Sequence, residues 1–245
     1  MTVIYSQPDG GRTSLAKRMA LSAHRQGLGT VYYDVENKLM LHDPSVFEGI
    51  VLARSYQESG LKELVAKGLV DCIIVDTITG IFHTSHEAFL IKLRKKVPYI
   101  IVLTQMRDSF AFNKSVPAAR DHVLSSAHTA LYLTGKEKVT IEGIDVMRVQ
   151  YQIVKYEADR SKEGTRGSFV IRKNIVDNVY SVYDYMRAQG LIRSVGKEKY
   201  FQDVVGEIPI GLIKKVVASP DESKHLIELG LKEMKLKTEP EVYLD

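Results

Sequence analysis

Two stretches of this chain, "CIIVDT" from Cys72 and "PYIIVLTQ" from Pro98, are almost wholly apolar and β-branched. They narrow the possible folds more than any other feature. Strands of that kind are buried on both faces, which requires helices above and below their sheet. The rest of the first half supplies those helices. "TVIYS", "GTVYYDVE" and "EGIVLARS" are further β-rich runs. Between the runs lie "TSLAKRMALSAHRQG", "SGLKELVAKGLV" and "HEAFLIKLRKK", with apolar residues at helical spacing. Gly27 closes the first of these helices, and Ser59 is the expected cap of the second. Such alternation predicts an α/β fold with a mainly parallel sheet and helices on both faces. Ligands of such sheets bind beyond the carboxyl ends of the strands.

The pattern changes after about residue 128. "TALYLTGKEKVTIEGIDVMRVQYQIVKYEADRSKEGTRGSFVIRK" reads as successive strands joined by charged turns, an antiparallel extension of the sheet. Residues 1–174 are therefore expected to form the core, and 175–245 a small α+β C-terminal domain with a tail, "KTEPEVYLD". In that second part "VYSVYDYMRAQG" and "IGLIKKVVAS" are helical in pattern, and "GKEKYFQ" is a turn and short strand. The helix of "SPDESKHLIELGLKEMK" has Ser219 as N-cap, Pro220 in its first position and acids in its first turn.

Composition excludes several classes. A chain 44% hydrophobic and 26% charged is an ordinary globular one, with no long disordered tract. Cys72 is the one cysteine, in an apolar run, so a disulfide framework is excluded and a reducing cytoplasm is expected. No apolar stretch reaches membrane length, and the N-terminus has no signal-like apolar segment. His83 and His86 have no third ligand nearby in sequence, so a histidine metal site is not predicted. A net charge of +4 permits an anionic partner without requiring one.

At the end of the first β-run stands "SQPDGGRTS". The P-loop pattern asks for Gly, four variable residues, then Gly-Lys-Ser/Thr. Here Ser6 replaces the first Gly and Arg12 the Lys, while Gly11 and Thr13 are kept. In such a loop, backbone N–H groups and a helix N-terminus surround phosphates. Gln7, Pro8, Asp9, Gly10, Gly11, Arg12, Thr13 and Ser14 are therefore candidate nucleotide contacts, with the Thr13 hydroxyl a candidate magnesium ligand. Arg12 keeps the charge of Lys but has a planar, bulkier head. The other reading of this segment is an ordinary Pro-Asp-Gly-Gly turn. Asp76 ends the buried "CIIVD" run, where a carboxylate can organise magnesium through water, or simply end a strand. Asp34 and Glu36 end the "YYDVE" run. Glu36 could polarise an attacking water; standing alone it reads as a surface carboxylate. Gln105, leaving "IIVLTQ", could sense a phosphate or merely leave the sheet.

Taken in order, these strand-end segments resemble the RecA recombinase core. "YSQPDGGRTS" looks like its Walker A segment, "DVENKL" like the segment of its catalytic glutamate, "CIIVDT" like its Walker B strand and "TQMR" like the start of its second DNA-binding loop. "QYQIVKYEADRSKEGTRGSFVI" is similar to its late strands, and Val182 to Met234 to its small C-terminal domain. The resemblance implies a RecA-like P-loop NTPase core. ATP and Mg2+ would bind between subunits of a homo-oligomer, a filament or ring, with recombination-loading partners. Glu36, Arg12 and Lys155 would be catalytic, Gln105 would couple nucleotide to DNA, and Thr13 and Asp76 would serve the metal. The sequence begins at the Walker A strand, which implies a core-only, phage-type member acting in a bacterial cytoplasm. Two lysines by which RecA reaches a neighbour's phosphate fall here on Lys155 and Glu157, so only one is kept, and the first DNA loop, near Gly80 to Glu87, is short. With Ser6 and Arg12, this departure predicts at most weak DNA-dependent ATPase activity.

"MRDSFAFNKSVPAARDH" interleaves Arg107, Lys114 and Arg120 with Phe110 and Phe112. Cations for phosphates and rings for bases suit single-stranded DNA. A connecting loop with both phenylalanines packed inward is the plainer reading. The expected function is DNA recombination or repair by single-strand binding with strand exchange or annealing. One alternative is nucleotide-independent annealing with a relic loop. Another is a ring-type motor ATPase on the same fold.

Overall fold

The structure is a computed structural model. It describes residues 1–37, 39, 47–54, 58–78, 85–109, 114–117, 121–195, 198–203, 206–209, 216 and 219–236. Two compact units emerge: Met1–Lys136 with Val149–Gly167, and Glu137–Arg148 with Ser168–Asp245.

The first unit is built on β1 (Thr2–Ser6), β2 (Thr30–Asp34), β3 (Val51–Arg54), β4 (Cys72–Asp76) and β5 (Tyr99–Ser109). Helices α1 (Arg12–Arg25), α2 (Glu58–Ala66), α3 (Ser85–Arg94) and α4 (Asp121–Ser125) lie between and after these strands in the chain. The long strands β7 (Thr129–Ile141), β8 (Ile144–Tyr156) and β9 (Arg166–Arg172) continue the sheet. Its order is β9–β8–β7–β1–β5–β4–β2–β3, and every pairing from β7 to β3 is parallel. The fold is thus α/β with a mostly parallel mixed sheet. The β-branched runs explain the centre of it: Val3, Ile4, Ile73, Ile74, Val75, Val102 and Leu103 are all fully buried. Gly27, at φ 79°, ends α1 in the left-handed conformation that glycine adopts without a Cβ clash.

Two local expectations fail. Ser59 lies inside α2, which already begins at Glu58, so it is not the cap of that helix. The segment after Gln105 is not simply a connecting loop. β5 runs on to Ser109 and pairs antiparallel with β6 (Lys114–Pro117), Arg107 opposite Val116 and Ser109 opposite Lys114. Backbone pairing builds this hairpin where the side chains show no apolar alternation.

In the second unit the tip of β7–β8 turns through Glu142 (φ 47°) and Gly143 (φ 77°), the two positive φ values of a tight hairpin turn. Lys173 (φ 51°) and Asn174 (φ 60°) turn β9 into β10 (Ile175–Val176) in the same way. Helix α5 (Asn178–Ala188) is capped by Asp177, whose carboxylate accepts from the Tyr180 N–H at 3.2 Å. β11 (Ile192–Val195), β12 (Glu198–Asp203) and β13 (Gly206–Pro209) form a separate antiparallel sheet. Helix α6 (Pro220–Leu236) starts as its sequence predicts, Ser219 Oγ accepting from the Glu222 N–H at 3.4 Å. Of the helix expected within 210–219, only Val216 and Ser219 are described. Ile141, Val170, Tyr180, Tyr183, Met186 and Leu226 make the core of this unit. The buried Asp184 carboxylate is held by Arg148 through two bonds of 2.6 Å each.

Removing Arg148 strands Asp184 as an uncompensated buried charge. Arg148→Met is expected to cost this unit about 2–3 kcal/mol, at the low end for a buried pair because the arginine is partly exposed. Urea unfolding of the full chain measures it; an unchanged midpoint would show the pair to be idle. In the first unit, burial pushes the Cys72 thiol up to about 11. At pH 8 the native protein should be alkylated at least about a hundredfold more slowly than the urea-unfolded chain, since the thiolate is the nucleophile. Equal rates would mean that β4 is open to solvent.

Candidate functional site

Parallel pairing fixes which strand ends meet. Ser6, the last residue of β1, lies opposite Gln105 of β5, and Asp34, the last of β2, lies opposite Asp76, the last of β4. The loop from Gln7 to Gly11 then leads from β1 into α1. Its turn is closed by the Gly10 N–H donating to the Gln7 carbonyl at 3.2 Å. Asp9 (φ 57°) and Gly11 (φ 90°) both take left-handed backbone conformations. Gly11 is the N-cap of α1, no side chain caps that end and no acid stands in its first turn. A helix start without a cap from its own N-cap residue leaves N–H groups for other acceptors, an arrangement that suits phosphate.

The hydroxyl expected to serve a metal is drawn to the acid expected to do so. Thr13 Oγ1 donates to Asp76 Oδ2 at 2.9 Å, across 63 residues of chain. Tyr32 Oη donates to the same oxygen at 2.7 Å. Asp34, itself buried, accepts from the Leu39 N–H at 2.9 Å. Burial raises the Asp76 pKa above the usual carboxylate range, although the Tyr32 and Thr13 hydrogen bonds and the Arg12 charge pull it down. The Tyr32 hydroxyl is raised well above its ordinary value by burial and by Asp76.

Arg12 folds back into the loop instead of standing out from it. Its Nη1 donates to the Ser6 carbonyl at 2.6 Å, to Ser6 Oγ at 2.9 Å and to the Gln7 carbonyl at 3.2 Å. Ser6 Oγ in turn donates to the Gln7 carbonyl at 2.6 Å. The two residues that depart from the P-loop pattern are thus each other's partners. Burial lowers the Arg12 pKa, opposed by the charges of Asp76, Glu36 and Asp9. Pro8, Asp9 and Gln7 are exposed, and Ser14 half-buried.

Lys155 is occupied elsewhere in the first unit. Its Nζ donates to the Ser125 carbonyl at 2.7 Å and pairs with Glu157 at 2.9 Å. Of the expected DNA contacts, Phe110, Phe112 and Arg120 lie outside the described residues. Arg107 and Lys114 are placed by their backbone on the β5–β6 hairpin. Two residues of the site, Tyr32 and Lys17, were not singled out from sequence. Lys17, on α1, is 2% exposed, and its pKa is lowered by burial against the opposing pull of Asp76 and Asp34. Its spacing of one helical turn from Thr13 is the signal that would have found it.

For magnesium, the site offers the Thr13 hydroxyl and the Asp76 carboxylate, but Asp76 Oδ2 already accepts two hydrogen bonds. Among the described residues no group of three or more His, Cys, Asp or Glu gathers to hold a metal ion. No helix among them is long and apolar enough to cross a membrane. A scan against protein-family models gives no match, and neither does a search of curated proteins.

A methyl at Gly10 would collide with Ser6 Oγ and come within 2.6 Å of Ser6 Cβ. Gly10→Ala is therefore expected to destabilise the chain by about 1–3 kcal/mol, an overpacking cost that Ser6→Gly in the same chain should relieve. Thermal unfolding of the two single variants and the double one checks this; purely additive effects would rule the contact out.

Proposed function

We propose that this chain is a RecA-like, single-stranded-DNA-binding recombination protein, which works as a homo-oligomer and binds ATP over the Gln7–Ser14 loop. The observation that carries the reading is the Thr13–Asp76 hydrogen bond at the carboxyl edge of a parallel sheet, beside an uncapped helix N-terminus. A hydroxyl from the loop and an acid from the buried strand are the pair a nucleotide site of this kind requires. Gln105 stands next to Ser6 in register, so an amide that meets the phosphate end continues directly into the β5–β6 hairpin. Ordering of that hairpin by nucleotide would present Arg107 and Lys114 to the DNA backbone and Phe110 and Phe112 to its bases. Gln105 is then the coupling residue and Glu36 the one that orients water.

A second reading keeps the DNA and drops the fuel. It is favoured by the Arg12 guanidinium, whose bonds to Ser6 and Gln7 close the loop from within. In that case the protein coats or anneals single strands without ATP.

One experiment separates the two readings. Binding of a labelled single-stranded oligonucleotide is followed by fluorescence anisotropy with and without ATP, and phosphate release is measured in the same samples. The recombinase reading expects ATP to tighten binding by about tenfold or more, a coupling of ordinary allosteric size. It also expects DNA to stimulate slow phosphate release, and the double change Ser6→Gly with Arg12→Lys to speed it. Tight binding indifferent to ATP, with no phosphate, would establish the second reading. Equal affinity for single- and double-stranded DNA, or no binding, would remove both.

A further inference from the structure

Asp76 carries two hydroxyls on one of its oxygens. Thr13 Oγ1 and Tyr32 Oη both donate to Oδ2, at 2.9 and 2.7 Å. Among the described residues Oδ1 accepts no hydrogen bond, and Asp76 keeps part of its surface exposed. The loop pattern accounts for Thr13 but asks for nothing at Tyr32. Tyr32 is the middle residue of β2 and lies opposite Ile74 in register. Asp76 stands two residues further along β4, on the same face of the sheet. The phenol therefore lies alongside the neighbouring strand and ends at the carboxylate. Its ring is 0% exposed and meets the Phe47 ring edge-on at 5.3 Å. Packing alone asks only for a ring there. Phenylalanine would fill the space without taking a hydroxyl out of water, a cost that the bond to Asp76 offsets. Left alone, an aspartate turns easily about its last bond, because the carboxylate torsion is broad. Two donors on one oxygen, from α1 and from β2, stop that turning.

We infer that Tyr32 is a positioning residue, which locks the Asp76 carboxylate so that Oδ2 is held by the protein and Oδ1 is the one oxygen offered to a bound magnesium ion or its water. Tyr32 itself touches no ligand in this arrangement and acts only through Asp76. Groups that orient a metal ligand in this way commonly change metal affinity by about 10–100-fold when they are removed. The lock rests on the two hydrogen bonds alone. The ion rests on the proposed reading of the loop as a nucleotide site.

Two double-variant cycles on the full chain test it, each with wild type, Tyr32→Phe, Asp76→Ala and the pair. The first is urea unfolding without nucleotide. Tyr32→Phe is expected to lower the midpoint of the wild-type chain. With Asp76→Ala it is expected to leave the midpoint unchanged or raise it, because the phenol is then buried without its acceptor. The second cycle follows a fluorescent ATP analogue in magnesium and in EDTA. Tyr32→Phe is expected to weaken binding about tenfold or more in magnesium, by less than about twofold in EDTA, and not at all beyond Asp76→Ala. Should Asp76→Ala not fold, Asp76→Leu serves instead. Midpoint shifts that simply add overturn the lock. Equal losses in magnesium and in EDTA reduce Tyr32 to packing and overturn the inference as well. If wild type binds the analogue and Tyr32→Phe matches it in both buffers, the nucleotide reading stands and the inference falls. If wild type binds no analogue while the urea cycle behaves as expected, the nucleotide reading falls with the ion, and the lock on Asp76 stands.

Discussion

Two carboxylates side by side at the ends of neighbouring parallel strands, the buried Asp34 and the partly exposed Asp76, are the constraint around which this site is organised. Their position follows from sheet register alone: once β2 and β4 pair in parallel with Thr30 opposite Cys72, the two acids must end up side by side. Hydrogen bonds answer their charge. Thr13 and Tyr32 donate to Asp76, and the Leu39 N–H donates to Asp34. A core of valine and isoleucine would be content without them. Among the described residues of the first unit, Arg12, Lys17 and Asp34 are the charged side chains that are buried, with Asp76 partly exposed beside them, and burying charge in this way is costly.

Much of the scaffold was legible because burial on both faces leaves a plain signature. The runs in β4 and β5 are continuous β-branched residues, and no other placement would bury Ile73, Ile74, Val75 and Val102 completely. Gly27 and Ser219 mark helix ends through their own chemistry, a missing Cβ in one case and a hydroxyl acceptor in the other. Ser59 misled because a good capping residue is also tolerated in a helix's first turn. The β5–β6 hairpin escaped detection for a different reason. Its polar, charged sequence carries no alternation, and the pairing of Met106 with Pro117 depends on backbone bonds that side-chain pattern does not encode.

The site was half legible. Thr13, Asp76 and Asp34 could be placed because each sits at a strand end or helix start, where sequence order becomes spatial order, whereas Gln105 lies inside β5 and meets the loop through its register with Ser6. Lys17 was passed over, since a lysine flanked by "SLA" and "RMA" reads as one more solvated cation on a helix, and only its spacing from Thr13 set it apart. In the fold it is 2% exposed, its ammonium over the Phe47 ring. Lys155, which the resemblance assigns to a neighbour's phosphate, pairs in the single chain with Glu157, two positions on, at 2.9 Å.

Ser6 and Arg12 carry the same lesson further. Read singly, each is a defect in a phosphate loop: one narrows the backbone freedom of its first position, the other replaces a flexible ammonium with a rigid fork. Read together they are one structure. Arginine has donors to spare, and Ser6 offers it a hydroxyl and a carbonyl in one place, so the wider head is seated where a lysine would stay free. Seating it has a consequence. A phosphate entering the loop must either displace Arg12 from the Ser6 and Gln7 carbonyls or be met by the guanidinium's remaining N–H groups while those bonds hold. The first route sets a barrier that nucleotide binding must overcome. The second leaves the cation fixed and makes it a poor follower of charge that shifts as a phosphate bond breaks. On the proposed nucleotide reading, either route would favour holding a nucleotide over cleaving it, and this follows from the paired substitution, not from either residue alone.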